Sequence, residues 1–201
     1  MGRIDYLVVG LGNPGAKYIL TRHNAGFLVL DHLAQLYKVR LKQKEKKFTG
    51  GVIQEGDYQI LIAKPLTYMN LSGEAVKILL ERYHLPLDRV IIISDDVALP
   101  FGSIKLKPKG SSGGHRGLAS IIAQTGKALP RVRVGIGAPP IGVEMTEYVL
   151  GKFSTEEEKL LPEITLRAAR AIMTWVEEGT EKAMSVYNGL VPSLRIEKKQ
   201  R

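Results

Sequence analysis

Two kinds of hydrophobic run alternate along this chain. Tyr6-Leu7-Val8-Val9 and Val90-Ile91-Ile92-Ile93 carry no charged or amide side chain, as expected of strands buried on both faces. Elsewhere apolar residues recur at helical spacing: Phe27, Leu30, Leu33, Ala34 and Tyr37, then Ala75, Ile78, Leu79 and Tyr83. The predicted order is strand 6–9, helix 25–37, strands 48–54 and 58–64, helix 72–83, strands 90–94 and 103–107, helix 115–124, strand 131–135, and helices from about 155 to 188. Glu55-Gly56-Asp57 reads as a hairpin turn. In the last helices Leu160, Leu161, Ile164, Ala168, Ala171, Ile172 and Trp175 form a packing stripe, and Pro162 is expected to bend the helix or mark a new start. Strands alternating with helices predict an α/β fold: one domain, with a central, mostly parallel mixed twisted sheet flanked by helices. The domain is expected over residues 1–190 and a basic tail over 191–201, while Lys42 to Lys47 reads as a solvated connection.

Composition narrows the classes. A 201-residue chain with 44% hydrophobic residues suits one globular domain. No run is long enough to cross a bilayer, and Gly2-Arg3-Ile4-Asp5 leads straight into the first strand without a signal peptide. The absence of cysteine excludes disulfides and thiolate metal sites and fits a reducing compartment, so a cytoplasmic location is expected. Twenty-nine Lys and Arg against 20 acids give a formal charge of +9. Such a balance serves solubility or attracts a polyanion.

Placement favours the polyanion. In Ile104-Lys105-Leu106-Lys107-Pro108-Lys109 the lysines alternate at strand period, and Arg131 and Arg133 do the same in the next strand. The two segments flank a glycine-rich loop that carries Arg116, and together they read as a phosphate-tracking patch. No aromatics are interleaved with these cations, so backbone and shape recognition is expected rather than base readout.

Gly10-x-Gly12-x-x-Gly15 matches the dinucleotide-binding fingerprint, but that motif must open directly into a helix. Here Pro14 lies within the loop and Thr21-Arg22-His23-Asn24 delays the helix, while Asp31, at the right distance for the ribose acid, falls inside it. Asn13 and His23 therefore share one long strand-to-helix connection. Asp95 ends a buried strand in Ser94-Asp95-Asp96, where it serves either as a turn acid or as the acceptor that orients a histidine ring. Asn70 precedes the helix from residue 72, either as its cap in competition with Ser72 or as a donor to a reacting carbonyl. His32 and His84 read as structural, and His115 starts a helix. Neither a His-x-x-x-His metal pattern nor a compact acid cluster is present, and there is no Gly-x-Ser-x-Gly elbow. A histidine base activating water is the simplest chemistry left.

The ordered set GLGNPG, Tyr18, TRHNAG, TYMNLSG, SDD followed by LP, GGHRGL and RVRVGIG resembles bacterial-type peptidyl-tRNA hydrolase from about residue 4 to residue 190. No cofactor and no metal are expected, and the chain is expected to be a monomer. The resemblance implies an esterase acting on tRNA. It would hydrolyse the ester joining a peptide or N-blocked amino acid to the terminal ribose of tRNA, recycling tRNA from peptidyl-tRNA released during translation. On this resemblance His23 is the base, Asp95 the acid that keeps it basic, Asn13 the residue that separates blocked from unblocked substrates, and Asn70 a substrate-binding amide. Tyr18 and Tyr68 match contacts to the tRNA terminus, and Lys107 and Arg133 match the pair at its 5′-phosphate. Lys105 joins them on the strand. Two positions depart from the family pattern. Arg116 stands where many members have Asn, so that amide's role does not transfer; Arg116 meets RNA phosphate or solvent. Tyr68 replaces a frequent Phe. The alternatives are a non-catalytic RNA-binding or splicing scaffold on the same fold, and a nucleotide-dependent oxidoreductase that the loop chemistry disfavours.

Overall fold

A computed structural model describes residues 3–194, and of residues 43–45 the backbone alone. Among the described residues the sheet has eight strands, in the order β2-β3-β4-β1-β5-β7-β6-β8. The strands are β1 (Tyr6–Gly10), β2 (Lys42–Glu45), β3 (Phe48–Glu55), β4 (Tyr58–Pro65), β5 (Val90–Asp96), β6 (Ser103–Lys107), β7 (Arg131–Gly135) and β8 (Gly189–Leu190). The helices are α1 (Ala25–Leu36), α2 (Ser72–Tyr83), α3 (Arg116–Thr125), α4 (Met145–Leu150) and α5 (Thr155–Tyr187). The four central strands β4, β1, β5 and β7 are parallel, and the strands added at either edge run antiparallel.

The two all-apolar runs are the centre of the sheet. Successive side chains of β1 and β5 point to opposite faces and both faces are covered, so every position must be apolar. Val8, Ile91 and Ile93 join the core beneath α1 and α5. Leu7, Val9, Val90 and Ile92 join the core beneath α2 and α3. The helical stripes pack as expected, with Leu30, Leu33 and Ile172 fully buried.

Beside β5, the start of α1 meets the sheet backbone to backbone. A Cβ on Gly10 would lie 2.3 Å from the carbonyl oxygen of Gly26, and one on Gly26 would lie 2.5 Å from that of Ile93. Gly10 and Gly26 serve close strand–helix packing, which accounts for the first glycine of the motif. Asp31 is exposed on α1 and pairs with Lys64, away from the position a ribose would require.

Several elements differ from expectation. Residues 42–45 are an edge strand rather than a connection, paired with β3 through Lys42↔Gly50 and Gln43↔Thr49; backbone pairing forms it, and a charged, Lys-rich sequence is common on an exposed edge. Pro162 lies within α5 without ending it; it is past the first turn, so its missing N–H leaves the Glu158 carbonyl without that helical partner. The real break in α5 is at Gly179, where φ is 85°. Val191 is fully buried and Leu194 packs against the same core, so the packed chain continues past residue 190; the rest of the expected tail, from residue 195, lies outside the described residues.

Candidate active site

Three ionisable side chains converge at the carboxyl end of β5. His23 sits in a 3₁₀ turn, Arg22–Asn24, that leads into α1. Its Nδ1 lies 2.9 and 3.0 Å from the two oxygens of Asp95. His115, the residue before α3, places Nε2 3.0 Å from Asp95 Oδ1. The other nitrogen of that ring fixes its tautomer. His115 Nδ1 accepts from the backbone N–H groups of Gly117 and Leu118, capping the helix, so it carries no proton and Nε2 must be the donor. Asp95 thus accepts one hydrogen bond from each histidine. Burial alone would raise its pKa, but the two histidines beside it, His115 more than His23, outweigh that and hold the carboxyl below the ordinary carboxylate range. With Nδ1 of His23 donating to Asp95, Nε2 is left as the basic nitrogen, and His23 lines a pocket of about 600 Å³.

Amides form the next part of the pocket. Asn13 Oδ1 accepts from the Met69 backbone N–H at 2.8 Å. An N–H donor requires an oxygen acceptor, so the amide orientation is fixed and Nδ2 is the group left to donate. The Asn13 backbone is clamped by Asn24, whose Oδ1 accepts from Asn13 N while its Nδ2 donates to Asn13 O. Asn70 is exposed in the turn Met69–Leu71 before α2 and lines the same pocket. Neither Asn70 nor Ser72 caps that helix, since the residue in the cap position is Leu71 and makes no side-chain cap bond.

The cations lie on the neighbouring strands. Antiparallel register sets Lys105 opposite Arg133 and Lys107 opposite Arg131, placing all four on one face of the sheet. Lys107, Arg116, Arg131 and Arg133 line the pocket, whereas Lys105 and Tyr18 do not. Arg131 is buried, and its guanidinium donates to the carbonyls of Leu129, Ser111 and Gly110; it ties down the glycine-rich loop and is not a solvated cation. Arg133 uses Nε to pair with Asp96, so its remaining N–H groups form its outer edge. Tyr68 is 59% exposed at the pocket. Half-buried Tyr18 stands apart, with the Lys17 ammonium over its ring.

The family model for peptidyl-tRNA hydrolase matches residues 7–198. The chain belongs to the peptidyl-tRNA hydrolase family. It is 48% identical over 183 residues to the peptidyl-tRNA hydrolase of Desulforudis audaxviator, covering 90% of this chain and 92% of that one. It is 45% identical to that of Geobacillus kaustophilus, covering 90% and 98%. The crystal structure of peptidyl-tRNA hydrolase from Acinetobacter baumannii superposes with a TM-score of 0.85 at 32% identity, over 94% of this chain and 99% of that one.

Within this peptidyl-tRNA hydrolase fold, sequence reasoning missed His115, Asn24 and the α4 wall. The ligand atoms of His23, Asp95 and His115 lie within 4.8 Å of one another, a compact group that linear spacing did not disclose. It is poorly suited to a metal. The gaps are hydrogen-bond lengths already closed by two N–H protons, and freeing His115 Nε2 for a metal would put its proton on Nδ1 and break the helix cap. His32 and His84 are structural as expected: His32 bonds Thr165 at 2.7 Å, and His84 ends α2 at φ 50°. Met145, Thr146, Val149 and Leu150 of α4 form one side of the pocket.

Proposed function

We propose that this pocket hydrolyses the ester between a peptide, or an N-blocked amino acid, and the terminal ribose of tRNA, with His23 as general base. The observation that carries this reading is the buried His23–Asp95 pair, whose geometry leaves a basic Nε2 in a pocket beside amide donors. Water attacks the ester carbonyl carbon and gives its proton to His23 Nε2. Asp95 holds the ring in place and stabilises the imidazolium. The tetrahedral oxyanion then collapses, the bond to the ribose oxygen breaks, and His23 returns its proton to that oxygen.

Asn70 is placed to donate to the carbonyl oxygen as charge builds, an interaction of the kind worth ~10²–10³-fold in rate. Asn13 Nδ2, rigidly aimed by Met69 and Asn24, is the donor that recognises the blocked amine through its carbonyl. Lys107 and Arg133 receive the 5′-phosphate region of the acceptor stem, with Lys105 beside them. Tyr68 offers a ring to the terminal nucleotide, and Arg116 a further phosphate contact. Tyr18, outside the pocket, can meet the tRNA only further along the strand.

The test compares N-acetyl-aminoacyl-tRNA with free aminoacyl-tRNA. The wild type should release the acetylated amino acid far faster, and Asn13→Ala should narrow that preference. Equal rates on both substrates would contradict the assignment of Asn13; no hydrolysis of either, with tRNA still bound, would favour the scaffold alternative.

A further inference from the structure

We propose that Arg22 is a positioning residue for this reaction: it anchors the turn that aims His23 at Asp95, and its loss lowers kcat rather than substrate affinity. The inference rests on His23 being the base. Arg22 is the residue before His23 and does not line the pocket. Its side chain runs the other way, to the junction between α4 and α5. Nη1 donates to the Lys152 carbonyl at 2.7 Å, and Nη2 bonds Glu157 Oε2 at 2.6 Å. The guanidinium lies over the rings of Tyr148 and Phe153, with centroids 4.5 and 5.6 Å away.

The backbone is fastened to the same place. Arg22 N donates to Gly151 O at 3.0 Å, Thr21 bridges to Lys152, and Phe153 N donates to Leu20 O. The far anchor is itself rigid. Glu157 Oε2 also accepts from the Ser154 backbone N–H, completing the capping box that starts α5. The neighbouring residues Arg22 and His23 are thus fixed from opposite directions, His23 by Asp95 and Arg22 by the α4–α5 junction.

Stability does not explain this arrangement well. Arg22 Nε is buried with no hydrogen-bond partner, and a largely buried ion pair is weak evidence of stabilisation, because desolvation offsets the attraction between its charges. A methionine would fill the space over the two rings. What it could not do is fix the angle of the turn, and small displacements of a catalytic group are costly in rate.

The experiment measures kcat and KM on N-acetyl-aminoacyl-tRNA for Arg22→Met, Arg22→Lys and Glu157→Gln, with His23→Ala as reference. The two low-field imidazole proton signals, His23 Nδ1–H and His115 Nε2–H, are followed by NMR. Arg22→Met should fold, keep its KM, lose ~10-fold or more in kcat, and show a weakened His23 signal beside an unchanged His115 signal. Arg22→Lys should recover part of the rate, because an ammonium can satisfy one anchor but not the fork. Glu157→Gln keeps an oxygen for the Ser154 N–H and should cause a smaller fall of the same kind. Wild-type kcat in Arg22→Met would overturn the proposal. So would a rate that merely tracks the folded fraction while both proton signals fade together. Wild-type turnover by His23→Ala would instead remove the base reading, and the proposal with it.

Discussion

His115 does two jobs with one ring: Nδ1 caps α3 and Nε2 donates to Asp95. The jobs can be separated by mutation. Asn is a good helix cap but too short to span from the cap position to Asp95. His115→Ala should therefore cost about 1 kcal/mol more stability than His115→Asn, while both lower kcat by removing the same donor. Urea unfolding and steady-state kinetics on the two variants check this. Asp95 itself gives a pH prediction. Its folded pKa lies below the ordinary carboxylate range, so its pairing stabilises the protein above that range, and this stabilisation is lost as pH falls through and below it. Stability measured at about pH 7 and at about pH 3 should differ less in Asp95→Asn than in wild type. His23, Asp95, Asn13 and Asn70 were legible as candidates from their places at connections beside strand ends, but that placement left a turn acid open for Asp95 and a helix cap for Asn70, and their roles came from the resemblance. His115 was not, since its value depends on a cap and a reach across the sheet that Gly-Gly-His-Arg does not reveal.

At the scale of elements, what could be read was set by how far each one relies on side chains. The long strands and helices carry their burial in their pattern. β2 is held by backbone pairing, and α4 is too short to be stable alone; it is held by Tyr148 Oη donating to Ile136 O. The approach of α1 to β1 and β5 belongs to this scale as well. Gly26→Ala would push a methyl group against the Ile93 carbonyl and the Leu11 backbone, costing about 1–3 kcal/mol as overpacking. Because the displaced end of α1 carries His23, kcat should fall at temperatures where the variant remains fully folded. An unchanged kcat in the folded variant would show that the turn tolerates movement of the helix.

Across the whole molecule, the excess of positive charge was visible from the sequence, and strand alternation placed Lys105, Lys107 and Arg133 together. The same alternation also counted Arg131 in the phosphate-tracking patch, whereas three backbone carbonyls occupy its guanidinium. Alternation reports only which side of a strand a residue faces, and a loop folding over that side makes the difference. If Lys107 meets a tRNA phosphate, Lys107→Glu should raise KM and lower the slope of log KM against log salt by about one, with kcat nearly unchanged. Arg131→Met should behave differently, loosening the 110–114 loop and lowering stability. Single-turnover hydrolysis of N-acetyl-aminoacyl-tRNA by wild type and His23→Ala, with tRNA affinity measured alongside, tests His23 as the general base. The His23→Ala rate should be lower by ~10²–10⁴-fold at unchanged affinity; hydrolysis at the wild-type rate would contradict that role.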